Sequence, residues 1–378
     1  MILVLEKGDL QSLFDALTSE KYQLIGPRVE DAALVYDEII SADDLPVGYV
    51  DEQDGGKYRL VKSDRDAYFD YVVGQHTWKR YLYAPDVTLY ELKRTGKNFE
   101  IVENKSEIPK RAFIGVRACE IEAIRIQDKI LLEGPYKDTD YERRRQDILI
   151  VAVNCVHPGG TCFCASMGTG PRANRGFDLA LTEIVEDSRH YFLIESGTNT
   201  GEKIMKNLKG KEAGKDEIEA ADRIMKDAEN KMGRHVDTAG VKELLYRNFE
   251  NSRWEVVAQR CLNCGNCTLV CPTCFCINIE DISSLEADSA QRVRKWDSCF
   301  TLDHSYIYGG SVRTSAKARY RQWLTHKLAS WIDQFGMSGC VGCGRCITWC
   351  PVGIDLTEEV RAIRESEGKG EIMADKEE

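Results

Sequence analysis

The sequence predicts an α/β amino-terminal domain followed by an all-helical carboxy-terminal domain built around cysteines. Three observations carry this. Short continuous apolar runs alternate with helical patterns before residue 200. Of fifteen cysteines, eight stand in two tight runs after residue 260. Around those runs, apolar residues recur at helical spacing. A chain of 378 residues also exceeds what one core usually organises. The expected units are 1–200, a helical linker over 201–252, and 253–378.

In chain order, Ile114-Gly115-Val116 and Ile148–Val153 read as buried strands, each ending just before a cysteine-bearing loop. Glu120–Gln127 between them reads as the start of a helix. Strand–helix–strand predicts a parallel pair whose carboxyl-end loops carry a site. The polar, Gly- and Lys-rich stretch Ser196–Gly214 reads as a linker. After it, Asp216 can cap a helix with Ile218, Ala221, Met225, Ala228 and Met232 on one face, and Gly233 ends it. A further helical pattern uses Val241, Leu244, Leu245 and Phe249. Another spans Ala316–Ile332, with Trp323, Leu324, Leu328 and Trp331 on its apolar face. The last dozen residues are charged and are expected to fray.

A formal net charge of -11 argues against a nucleic-acid or anionic-membrane surface and fits a partner-docking protein. The longest apolar run, Ile148–Val153, is far short of the roughly 20 residues of a membrane span. The start, Met1–Leu5 followed by Glu6, lacks the pattern of a signal peptide, so a cytoplasmic location is expected. In a reducing compartment fifteen cysteines need a reason other than disulfides, and their odd number and clustering point to metal.

The two runs are Cys261, Cys264, Cys267, Cys271-Pro272 and Cys340, Cys343, Cys346, Cys350-Pro351, both of the form C-x2-C-x2-C-x3-C-P. Two residues between thiolates let a tight turn deliver three sulfurs to three irons of a cube. Gly265, Gly342 and Gly344 let the loop wrap closely and point N–H groups at sulfide. The fourth cysteine, expected to open the next helix, ligates the other cluster. One 4Fe–4S cluster therefore takes Cys261, Cys264, Cys267 and Cys350. The second takes Cys340, Cys343, Cys346 and Cys271. A zinc ribbon is the competing reading, but zinc has no use for a third evenly spaced cysteine followed by Cys-Pro. The runs begin 79 positions apart, at 261 and 340. That spacing is similar to all-helical dicluster ferredoxin domains rather than to small β/α ferredoxins.

Cys119, Cys155, Cys162 and Cys164 form another set. Two of them follow the predicted strands, and two lie in the glycine-rich loop Pro158–Pro171. Adjacent parallel strands could bring them together as a third 4Fe–4S site; zinc or buried thiols are alternatives. His157 is a spare ligand or a surface residue. Cys274, Cys276 and Cys299 remain, read as packing or N–H···S tuning beside the first run, with redox-active thiols as the alternative.

The succession Arg117-Ala118-Cys119-Glu120, Asn154-Cys155, Cys162-Phe163-Cys164, Cys271-Pro272-Thr273-Cys274-Phe275-Cys276, Trp296-Asp297-Ser298-Cys299 and Cys340–Cys346 closely resembles the β subunits of NiFe sulfhydrogenases. It also resembles the A-type subunits of anaerobic sulfite reductases, which belong to the same family. The likeness covers roughly residues 110–360; the first 100 residues add little. It implies three 4Fe–4S clusters and no catalytic centre in this polypeptide. It further implies relay between a flavoprotein that reacts with NAD(P)H or ferredoxin and a NiFe hydrogenase or sulfite reductase catalytic subunit. Docking faces are then expected around Cys162 and around Cys340–Cys350. Gly309-Gly310-Ser311-Val312-Arg313 departs from the Gly-Gly-His-Asn stretch frequent in the family, which leaves the branch open.

Two rivals remain. A stand-alone enzyme would need an amino-terminal active site, yet no G-x-G-x-x-G or P-loop is present. Arg117, Glu120, Asp128 and Arg143–Arg145 could line a pocket but read as salt-bridged surface residues. A thiol–disulfide enzyme would use Cys274 and Cys276.

Overall fold

The computed structural model describes residues 2–72, 74–102, 107–186, 189–286 and 288–367. The carboxy-terminal dozen expected to fray falls, from residue 368 on, outside the described residues.

The two apolar runs form neighbouring parallel strands, Arg111–Val116 and Ile148–Val153, joined through the helix Ala118–Leu131. They sit at the centre of a sheet that, among the described residues, has eight strands. Gln23–Glu30 adds in parallel on one side and Leu179–Glu186 on the other. The outer strands are antiparallel: Ala33–Glu38 at one edge, then Arg189–Ser196 and Ile2–Glu6 towards the other. Central strands buried on both faces explain the unbroken apolar runs.

The stretch expected to be a linker is partly built into this sheet. Asn199–Met205 is a helix, and Lys211–Glu212 pairs with Ile2–Glu6 as a last edge strand. The next helix spans Lys215–Asn230. Its cap is Gly214 rather than Asp216, because the Glu217 carboxylate turns back to accept the Gly214 N–H at 2.8 Å.

The carboxy-terminal domain is not all-helical. Helices Val241–Arg247, Arg253–Arg260, Ala316–Thr325 and Leu356–Ser366 do enclose a core of Leu244, Trp254, Trp323, Leu324 and Val360. Between the cysteine runs, however, Ile277–Ser283 and Ser289–Trp296 form a β-hairpin. That hairpin joins Asp86–Thr95 and Asn98–Val102 in a four-stranded antiparallel sheet. Two distant parts of the chain thus complete one sheet, and the first 100 residues are structural partners of the cysteine region.

Three features fasten the two parts. Phe163, fully buried, inserts into the helical core, a burial worth about 2–3 kcal/mol. The hairpin Tyr49–Asp54/Lys57–Lys62 braces the second cysteine run, with Gly56 N–H donating to Ile347 O at 3.1 Å. Arg345, inside that run, reaches Glu120 at 2.9 Å and donates to Gly74 O at 3.0 Å. Glu120 also accepts from Tyr36 at 2.5 Å. Arg117 and Glu120 are therefore buried, not surface residues. Asp128 does form an ion pair, with Arg145 at 3.2 Å.

Candidate metal centre

Each cysteine run opens on an extended loop that a left-handed glycine turns into one helical turn. Gly265 (φ 76°) precedes Asn266–Leu269, and Gly344 (φ 73°) precedes Arg345–Thr348. The third cysteine of each run lies on that turn. The fourth, Cys271 or Cys350, falls just past its end rather than opening the next helix.

Cys261, Cys264, Cys267 and Cys350 line one small cavity between the runs. Burial, then the neighbouring sulfurs of Cys261, Cys350 and Cys264, push the Cys267 thiol well above its usual range. Cys346 is raised in the same way by burial and by Cys340, Cys343 and Cys271. The fourth cysteine of each run thus lies with the first three of the other. Backbone N–H groups also reach sulfur: Gly342 to Cys340 at 3.4 Å and Ile354 to Cys350 at 3.3 Å.

The amino-terminal cysteines converge too. Cys119 sits in the first turn after Arg111–Val116, and Cys155 two residues beyond Ile148–Val153. Burial first, then Cys164 and Cys155, raise Cys162; burial and Cys164 raise Cys119. Arg117, buried beside this group, counters burial at Cys155 and donates to Tyr71 O at 2.6 Å. Asp51, on the bracing hairpin, lies against Cys155 and Cys162, and burial raises its carboxyl to about 6. His157 instead faces Arg65 at 2.7 Å and Asp70 at 3.2 Å.

The three sets are contiguous. Phe163 N–H donates to Gly342 O at 2.8 Å, and Cys162 Sγ lies 3.8 Å from Cys343 O. Gly342 (φ 65°) fits so closely that a Cβ would stand 2.7 Å from Cys164 Cα. Of the faces expected to dock partners, the one around Cys162 is therefore packed against the Gly342–Cys343 part of the one around Cys340–Cys350. What faces solvent is Cys264, beside Leu262, which is 61% exposed, and Val352.

Clustered thiols, most of them wholly or partly buried, are costly to ionise together, and a positively charged iron cube offsets that cost. The donor sets fit such a group. Among the described residues no three Cys, His, Asp or Glu side chains meet closely enough for a single metal ion. Around one zinc the sulfurs would lie about 3.8 Å apart, whereas ligands at the corners of a cube spread wider.

Residues 260–354 match the family described as 4Fe-4S dicluster domain. Over 314 residues the chain is 31% identical to sulfhydrogenase 2 subunit beta of Pyrococcus furiosus, covering 82% of this chain and 89% of that protein. The chain belongs to the sulfhydrogenase β-subunit family. No solved structure matches it. Among the described residues no helix is long and apolar enough to cross a membrane.

This member of the family holds one device that the cysteine spacing does not announce. Lys327 is buried on a π-helical segment, His326–Ser330. Its Nζ donates to Cys271 Sγ at 3.2 Å, Thr273 Oγ1 at 3.1 Å and Gly339 O at 3.1 Å. Burial opposes its charge, but Cys271 and Cys274 outweigh burial and raise its pKa. Cys271 is correspondingly lowered, by its hydrogen bond with Cys274 and then by Lys327. The only sequence signal was a lysine on the apolar side of a helical pattern.

Proposed function

We propose that this chain is an electron-conducting subunit holding three 4Fe–4S clusters. It would connect a flavin-containing, NAD(P)H-reactive subunit to the catalytic subunit of a NiFe hydrogenase-type complex. The carrying observation is the unbroken succession of cysteine sets, with the Cys340–Cys346 run in the middle. It interacts with the Cys261 group through Cys346 and Cys267, and its Cys343 carbonyl lies 3.8 Å from Cys162 Sγ of the Cys119 group. The clusters would supply one-electron carriers whose potentials follow charge, N–H···S bonds and burial.

The protein's own residues do the remaining work. Cys261, Cys264, Cys267 and Cys350 would hold the outer cluster, beneath an exposed apolar rim at Leu262 and Val352 suited to a protein partner. Cys340, Cys343, Cys346 and Cys271 would hold the middle one, where Lys327 places a cation against its fourth ligand. Cys119, Cys155, Cys162 and Cys164 would hold the inner one.

Iron and sulfide analysis with EPR on anaerobically purified protein tests this. About 12 irons per chain, falling to about 8 in Cys119→Ser, is the expected result. A wild-type count near 8 with zinc present would remove the third cluster. Co-purification with a sirohaem protein in place of a NiFe subunit would assign the chain to a sulfite reductase complex.

A further inference from the structure

The three cysteines outside these sets line a separate cavity of about 700 Å³. They are not arranged as Cys274 with Cys276. Cys274 pairs with Cys271, and Cys276 pairs with Cys299. The hairpin explains the second pair. Ile277 lies opposite Trp296, and Asp297 N–H donates to Cys276 O at 2.9 Å, which sets Cys299 beside Cys276. The Asp297 carboxylate holds His304 Nδ1 at 2.7 Å, and His304 shares the cavity wall with Cys276 and interacts with its sulfur. A thiol, an imidazole and a carboxylate are thus in series, with a second thiol at hand. Hydrogen bonds from Cys299 and then His304 lower Cys276 to about 4, and the contact with Cys276 raises His304 to about 9.

We propose that Cys276 and Cys299, served by His304 and Asp297, form a dithiol site that reduces small anionic disulfides admitted to this cavity. Arg313 and Lys137 on the wall favour negative charge, Asp138 there being paired with Arg294, and His326, Tyr136 and Trp323 give neutral contact. Cys276 thiolate attacks one sulfur of the substrate. The substrate S–S bond breaks, a mixed disulfide forms, and the first leaving thiolate takes the proton held by His304. Cys299 sulfur then attacks Cys276 sulfur, the mixed disulfide breaks, and the second substrate thiol leaves with the Cys299 proton. One substrate disulfide becomes two thiols, and the protein is oxidised by two electrons to the Cys276–Cys299 disulfide. Return to the dithiol takes two electrons and two protons; here the inference rests on the relay function above as the electron source. Asp297 is a positioning residue acting through His304.

The test uses full-length protein, purified anaerobically, reduced with dithiothreitol and freed of it, with oxidised glutathione as the probe. Wild type is expected to release about two glutathiones per chain and yield a peptide joined between Cys276 and Cys299. Cys299→Ser should release about one and keep glutathione on Cys276, while Cys276→Ser releases none above background. Asp297→Asn should slow labelling of Cys276 about tenfold while the iron content stays at the wild-type value. Glutathione placed no faster on Cys276 than on the exposed Cys264, or iron lost from either serine variant, overturns the site. Iron missing from the wild type overturns the relay instead, and the disulfide exchange remains readable.

Discussion

The cysteines of this chain live in two kinds of place. In the three sets proposed to hold clusters, sulfurs are drawn together, and burial plus mutual repulsion raise Cys119, Cys162, Cys267 and Cys346. Along the cavity behind the first run, Cys276 stands beside Cys299 and is lowered by that partner and by His304. The first arrangement calls for more positive charge than Lys327 and Arg117 supply, whereas the second is matched by one imidazole. The difference separates the places proposed for metal from the place proposed for proton and thiol chemistry.

Removing iron with an anaerobic chelator breaks this comparison most severely if it is wrong. The ligand sets should then be left as buried thiols around empty space, and the melting temperature should fall by on the order of 10 °C or more. Alkylation of Cys276 should change less than about twofold, because His304 and not iron activates it. Equal effects on both would erase the distinction.

A smaller effect is expected from Gly342→Ala, which asks how the inner set is held. The added methyl meets the Cys164 backbone, and the residue must keep φ 65°. Overpacking of this kind costs about 1–3 kcal/mol. Thermal unfolding should report that loss. Iron analysis should show it concentrated in the inner set, with the glutathione reaction at Cys276 unchanged.

The mildest test is pH. His304, raised to about 9, keeps its proton until pH rises through that value. Cys276, lowered to about 4, remains thiolate until pH falls through that value. Its alkylation rate should be nearly flat between these limits, whereas an ordinary thiol gains about tenfold per pH unit below about 8.5. A tenfold gain per unit at Cys276 would place it with the ordinary thiols.

Legibility followed the range of the interactions. Cys261–Cys271 and Cys340–Cys350 are readable because a single local turn delivers three sulfurs, so spacing encodes geometry. Cys119, Cys155, Cys162 and Cys164 have no complete local pattern. They are readable only through the strand–helix–strand order, which sets two strand ends side by side. The hairpin Ile277–Trp296 escapes a local reading because its outer partner, Asp86–Thr95, lies far back in the chain. The same holds for Cys276 with Cys299: that hairpin joins them, and without it Cys274 and Cys276 look like the natural pair. Arg117 and Glu120 read as surface charge because their partners, Tyr71 O and Arg345, lie 46 and 225 positions away in sequence.

The π-helical segment His326–Ser330 has a consequence beyond the lysine it carries. Ahead of it, Tyr320, Trp323 and Leu324 pack into the helical core; after it, Trp331 packs on Ala123 and Ile126 of the amino-terminal body. One residue of excess in a rod of 3.6 residues per turn rotates everything downstream by about 100°. The segment is a phase-shifter, allowing a single rod to address two neighbours in different directions. What must be preserved there is a length as much as any side chain. A one-residue deletion that kept every named side chain would still turn Trp331 away from its seat.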